Sequence, residues 1–244
     1  MKLNWLFLAA VAALICLPVV NGQVIINEVD ADTSGTDTLE FIELYDGGVG
    51  NTDLTGLVVV GFNGSDDASY IAWDLDGYST DSNGYFVLGN TAVPNVDYDI
   101  GASNVIQNGA DAVAVFTGDD TDFPMDTPVT TVNLIDAVVY DTDDSDDTGL
   151  LPLLNMGEPQ INENMNGNKD FESIARCPNG SGGARNTSTF TADVPSADAD
   201  NGCALPTPAP TNTPGGSLTI ADVQGMGPAS PYDGQVVTVS GICY

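Results

Sequence analysis

The chain has 244 residues, with 4 Lys+Arg against 35 Asp+Glu and no His, for a formal net charge of −31. Four cations cannot furnish the basic face that releases counterions from phosphates, so no direct nucleic-acid binding is expected of these residues. Without imidazole, Ser-His-Asp and Cys-His centres and His-ligated metals cannot be assembled, which leaves carboxylate, hydroxyl, amide and thiol chemistry.

The N-terminus reads as a secretory leader. Lys2 supplies a positive start, residues 5–15 are an unbroken apolar run too short to span a bilayer comfortably, and Pro18 breaks it. Val20 and Gly22 occupy the −3 and −1 positions of a cleavage site, predicting removal of residues 1–22 and a mature start at Gln23. Cys16 follows Ile15, a poor context for lipid attachment, so no membrane association is expected after cleavage. The product is expected to be secreted.

Three cysteines follow the leader. In an oxidising compartment Cys177 and Cys203 are expected to close a loop across a Gly/Asn/Ser-rich stretch, with loop entropy contributing roughly 3–4 kcal/mol. Cys243 is left odd, as a free thiol or the mate of a cysteine elsewhere.

Along residues 23–203, apolar and β-branched segments recur at 24–29, 39–45, 54–62, 70–73, 85–88, 111–117, 132–140 and 171–175, and none carries helical periodicity. Asn133, Ile135, Ala137 and Val139 predict one mostly apolar strand face, and Val113 and Val115 lie opposite Ala112, Ala114 and Phe116. Between the segments stand turns such as Tyr45-Asp46-Gly47-Gly48 and Ser82-Asn83-Gly84, whose residues tolerate positive φ. Seven to nine short strands predict an all-β fold, a β-sandwich. Residues 204–216 are a Pro/Thr linker that buries nothing. Residues 217–244 carry two strand-like runs, too few to bury a core alone, and are expected to open a second domain.

Several segments stand in a recognisable order: Val24-Ile25-Ile26-Asn27-Glu28-Val29-Asp30, Glu40-Phe41-Ile42-Glu43-Leu44-Tyr45, Leu54-Thr55-Gly56 and Gly84-Tyr85-Phe86-Val87-Leu88-Gly89. Asn108-Gly109-Ala110-Asp111, Asp136-Ala137-Val138-Val139-Tyr140 and Ser173-Ile174-Ala175-Arg176 continue the series. Over residues 23–190 this order resembles the lamin-tail domains of secreted bacterial proteins, which implies an immunoglobulin-like sandwich. The long acidic loops depart from that pattern. The run Ile220-Ala221-Asp222-Val223-Gln224-Gly225, with Gly234-Gln235-Val236-Val237-Thr238-Val239-Ser240-Gly241, looks like the start of an OB-like domain. Such a segment precedes the endonuclease/exonuclease/phosphatase domain of secreted bacterial nucleases. The metal-binding acids and histidines of that family have no counterparts here, so no nuclease residue is carried over.

Three sets of residues carry candidate chemistry. Asp141, Asp143, Ser145 and Asp147 present oxygens at alternating positions that a flexible loop could wrap around Ca²⁺, or leave solvated. The loop is not an EF-hand, because Asp146 replaces the sixth-position Gly and Pro152 the twelfth-position Glu. Glu28, Glu40 and Glu43 could form a glycosidase-type carboxylate pair, or bond loop backbone N–H groups or Arg176. Trp73, Tyr78 and Tyr85 could form a sugar-stacking platform, or simply pack. Asn63, Asn179 and Asn186 head glycosylation sequons. The chain is expected to be a secreted, non-catalytic targeting or interaction module whose partner is an extracellular protein or polymer, and the resemblance of residues 217–244 implies that its parent is an extracellular nuclease precursor. The alternatives are a calcium-stabilised adhesion protein and a carboxylate-based hydrolase.

Overall fold

The computed structural model describes residues 22–203. Two sheets make up this unit, and no helical segment among the described residues is longer than four residues. The first sheet contains β1 (Ile25–Asp30), β2 (Phe41–Tyr45), β5 (Tyr85–Asn90), β6 (Tyr98–Gly101), β10 (Ser173–Arg176) and β11 (Phe190–Asp193), in the order β11-β10-β1-β2-β5-β6. The second contains β3 (Leu57–Asn63), β4 (Ala68–Asp74), β7 (Asp111–Thr117), β8 (Leu134–Asp141) and β9 (Ile161–Asn162), in the order β4-β3-β7-β8-β9. Neighbours run antiparallel except at two edges, where β6 joins β5 and β9 joins β8 in parallel. The expected β-sandwich is thus what the chain forms, and each of the eight expected segments contains a strand. Strands β6, β9 and β11 were not expected, being two to four residues long and set among polar residues.

Between the sheets lies a core to which Ile26, Ile42, Leu44, Val59, Phe86, Leu88, Val113 and Val138 contribute fully buried side chains. The outer face of the second sheet is buried as well. Val58, Val60, Phe62, Ala112, Ala114, Phe116 and Val139 pack there beneath Phe123, Leu150, Leu153 and Leu154, which come from two loops. This second core explains why β7 reads Asp-Ala-Val-Ala-Val-Phe-Thr, apolar at alternate and intervening positions alike. A Cβ on Gly61 would stand 2.6 Å from the ring of Tyr70, so β3 requires glycine there.

The face expected from Asn133, Ile135, Ala137 and Val139 does not run unbroken. In the β7–β8 ladder Val115 pairs with Asp136 and Phe116 with Leu134, leaving Ile135 as an extra residue. Ala137 and Val139 stay in the outer core, Ile135 packs against the inner one, and Asn133 is exposed. The bulge re-aims Asp136 toward the first sheet. A second bulge, at Asn27, sets Glu28 opposite Glu43 on the outer face while Ile26 remains inside.

Candidate functional site

The outer face of the first sheet gathers acids under a cover. Residues 194–203 leave β11 and cross this face, ending at Cys203, whose disulfide to Cys177 has a Cα–Cα separation of 5.3 Å. The expected disulfide is therefore present, and it fastens this strap at its end. Glu28 accepts hydrogen bonds from the strap's Ser196 backbone N–H and Oγ, both at 2.8 Å, and from Ser173 Oγ at 2.5 Å. Glu43 accepts from Asp198 N–H at 2.7 Å and Asn27 Nδ2 at 2.8 Å. Asn201 closes the strap, donating from Nδ2 to the Arg176 carbonyl at 2.7 Å.

Burial raises both carboxyls, against the lowering by these donors, and pushes Glu43 up to about 8. The third acid, Glu40, lies apart from the strap and accepts from Val105 and Ile106 N–H at 2.9 and 3.0 Å. All three glutamates are fully buried and bond backbone N–H groups, which is the structural role weighed for them. Arg176 is not their partner.

Arg176 instead reaches inward from β10. Its Nη2 stands 3.0 Å from Asp136 Oδ2, Nε donates to the Ile26 carbonyl at 2.6 Å, and Nη1 serves the carbonyls of Ser181, Gly183 and Asn186. Asp136 in turn accepts from the backbone N–H groups of Ile26, Ala137 and Arg185. A buried guanidinium with all its donors matched is a joint between sheets rather than a reactive group.

Four loops, the strap among them, frame a cleft of about 610 Å³ over the same outer face. Phe41 and Asp30 form its floor, and Leu39, Phe171 and Val194 stand at its rim, 46%, 61% and 69% exposed. Asp30 is buried, yet its Oδ1 meets no donor. Its carboxyl is held well above the usual range by burial and then by Glu163, itself pushed up to about 9 by burial.

In the acidic loop considered for calcium, several carboxylate oxygens serve the loop's own backbone. Asp141 turns back on its own chain, its Oδ1 accepting from Asp143 and Asp144 N–H and its Oδ2 from Gln160 Nε2. Asp147 Oδ1 caps the N–H groups of Gly149 and Leu150. Asp143 and Ser145 carry no such bonds and are exposed. Among the described residues, no three carboxylate or thiol side chains converge as a metal-holding group. Nor do the aromatics form one platform. Trp73 is in the inner core, Tyr78 packs its edge on Phe86 at 5.5 Å, and Tyr85 faces the other way, stacked on Tyr45 at 5.0 Å. Of the sequons, Asn179 is engaged with Tyr85 Oη, and Asn186 Oδ1 accepts from Ser188.

Asp30, Asp136 and Glu163 had no signal in the sequence beyond lying near apolar residues. A lone acid inside an apolar run, as in Leu134-Ile135-Asp136-Ala137-Val138, is the feature that marks such positions. Among the described residues no helix is long and apolar enough to cross a membrane. Neither a family model nor a curated protein matches this chain.

Proposed function

We propose that the chain is an exported, non-catalytic interaction module that binds an extracellular protein or polymer through the outer face of its first sheet. The observation that carries this reading is the contrast on that face. The glutamates a hydrolase would need are buried and engaged with backbone N–H groups, whereas Leu39, Phe171 and Val194 leave apolar surface open beside them. A general acid or base must reach the proton it transfers, and a carboxylate saturated by internal donors does not. The disulfide supports export, since such bonds persist in oxidising compartments. On the sequence resemblance, the sandwich is of the lamin-tail type and residues 217–244 begin an OB-like domain of a nuclease precursor; those residues lie outside the described part.

The test is to purify the full chain from the medium of a secreting host and incubate it with a panel of envelope and extracellular-matrix polymers. Retention without release of reducing ends is expected. Hydrolysis that is lost in Glu28→Gln or Glu43→Gln would overturn the reading in favour of a carboxylate hydrolase.

A further inference from the structure

Lys2 and Lys169 are the only lysines in the sequence, and Lys2 falls in the expected leader. Lys169 opens the 3-10 turn Lys169–Phe171, just before β10, and its Nζ lies against Oδ2 of Asp32, two residues past the end of β1. The two side chains are only 33% and 11% exposed, although exposed acids such as Asp170 stand close by in the sequence. A third group completes the arrangement. Glu163 is buried, accepts from Ala31 N–H at 3.0 Å through Oε1 and also engages the Asp32 N–H, while its Oε2 is enclosed without a partner. Burial makes Glu163 keep its proton up to about 9, so the acid beside Asp32 and Lys169 is a neutral carboxyl. An amine, a carboxyl and a neutral acid held together by the fold are the components of an amide condensation.

We propose that Lys169 and Asp32 condense into an isopeptide bond that joins the end of β1 to the entry of β10, with Glu163 relaying the protons. The ion pair is the starting form, since Asp32 holds the ammonium proton in place. Passage of one proton within the pair leaves a neutral amine against a neutral carboxyl, a form that partial burial favours over two charges. The amine lone pair attacks Asp32 Cγ and forms the Nζ–Cγ bond. One Cγ–O bond then breaks as that oxygen receives a second proton, taken from the nitrogen by way of Glu163, and leaves as water. One ammonium and one carboxylate give one amide and one water, with no oxidant or other reactant. Holding the two groups in contact supplies the effective concentration that condensation in water lacks. The bond would secure a weak point, because the β1–β10 ladder is short, with Glu28 opposite Ala175 and Val29 opposite Ile174, and β11 with its strap is attached through β10. This inference does not depend on the binding-module reading.

The experiment is peptide mass spectrometry of the full secreted chain, reduced, alkylated and digested with chymotrypsin. The expected result is a branched peptide in which the segments holding Asp32 and Lys169 are joined with the loss of one water. Trypsin should also fail to cut after Lys169, because an amide-linked lysine offers it no free ammonium. Lys169→Arg keeps the ion pair but removes the nucleophilic amine, and should return the two segments as separate peptides of full mass. Glu163→Gln keeps an oxygen for the Ala31 N–H but cannot carry the proton, so it should leave most of the chain unlinked while its circular dichroism spectrum matches that of the parent. Separate peptides of full mass from the parent chain would overturn the proposal and leave an ordinary ion pair. A loss of water that persists in Lys169→Arg would overturn it too, by placing the dehydration at another residue. Linkage at the parental level in Glu163→Gln would overturn the role of Glu163 alone.

Discussion

Arg176 in β10 and Asp136 in β8 meet at 3.0 Å between the two sheets, with both side chains fully buried. The pair also gathers the Ile26 carbonyl and N–H, so three strands share one polar joint inside an apolar core. Phe190 lies over the guanidinium at 4.6 Å, which adds a cation–π contact on the side facing β11. Removing either partner leaves the other charged and unpaired. Arg176→Ala is expected to cost about 3–5 kcal/mol in urea unfolding. Arg176→Lys should recover little of it, because an ammonium cannot span carbonyls on opposite sides of a planar fork. A loss under about 1 kcal/mol would show that the joint is not what holds the sheets together.

Stability should fall as pH rises. Glu43 and Glu163 hold their protons in the fold to about 8 and about 9, whereas the unfolded chain releases them near the ordinary value of 4.5. The native state therefore binds more protons across this interval. Their contribution is fully present below about pH 4.5 and is lost as pH passes through the folded values. Urea midpoints measured from pH 5 to pH 9 should decline, and Glu43→Gln should make that decline shallower. Repulsion among surface acids acts in the same direction but is screened by salt, so the variant's effect should survive at high ionic strength.

The strap should come loose when its fastening is cut. Cys177→Ser with Cys203→Ser is expected to cost roughly 3–4 kcal/mol from loop entropy alone. Hydrogen exchange would locate the consequence, since the amides of Ser196 and Asp198 bond Glu28 and Glu43 beneath the strap. Those two amides should lose protection first, while the Val113 and Val138 amides stay slow. Uniform loss of protection would mean that the strap is not a separate unit.

A loop leucine should matter as much as a strand residue in the outer core. Leu153 belongs to a 3-10 turn, Leu151–Leu153, yet it is fully buried against the second sheet. Leu153→Ala is expected to cost about 2–5 kcal/mol, comparable with large-to-small changes in the inner core. A cost below about 0.5 kcal/mol, typical of surface positions, would mean that the loop cover contributes nothing.

How much of this was legible beforehand depends on whether neighbours in sequence or in space decided each feature. Strand β7 was readable to the residue, because its apolar run, bounded by Asp111 and Gly118, has no other way to bury both faces. The Cys177–Cys203 pairing was readable from spacing and compartment. The break at Ile135 was not, since a bulge arises from the pairing of two strands and leaves no periodic mark in either. The acids show the same divide. Composition suggested a solvated acidic surface, but eleven acids are buried among the described residues, and Glu28, Glu43 and Asp136 each accept from a backbone N–H more than a hundred residues away, in the strap for the two glutamates and in β1 for Asp136. Sequence patterns report burial by periodicity, and a carboxylate that pairs with distant N–H groups has none. The cleft is of the same kind, assembled from four loops that only the sheet order brings together.

The most direct test of the central claim compares the secreted chain with a Phe171→Ser, Val194→Ser double variant for retention on the polymer that holds the parent. Both positions are well exposed, so the fold and its unfolding midpoint should be unchanged. The outer-face reading predicts that retention drops about tenfold or more in the variant, with no turnover of the polymer by either protein. Equal retention, or release of polymer fragments by the parent chain, would contradict it.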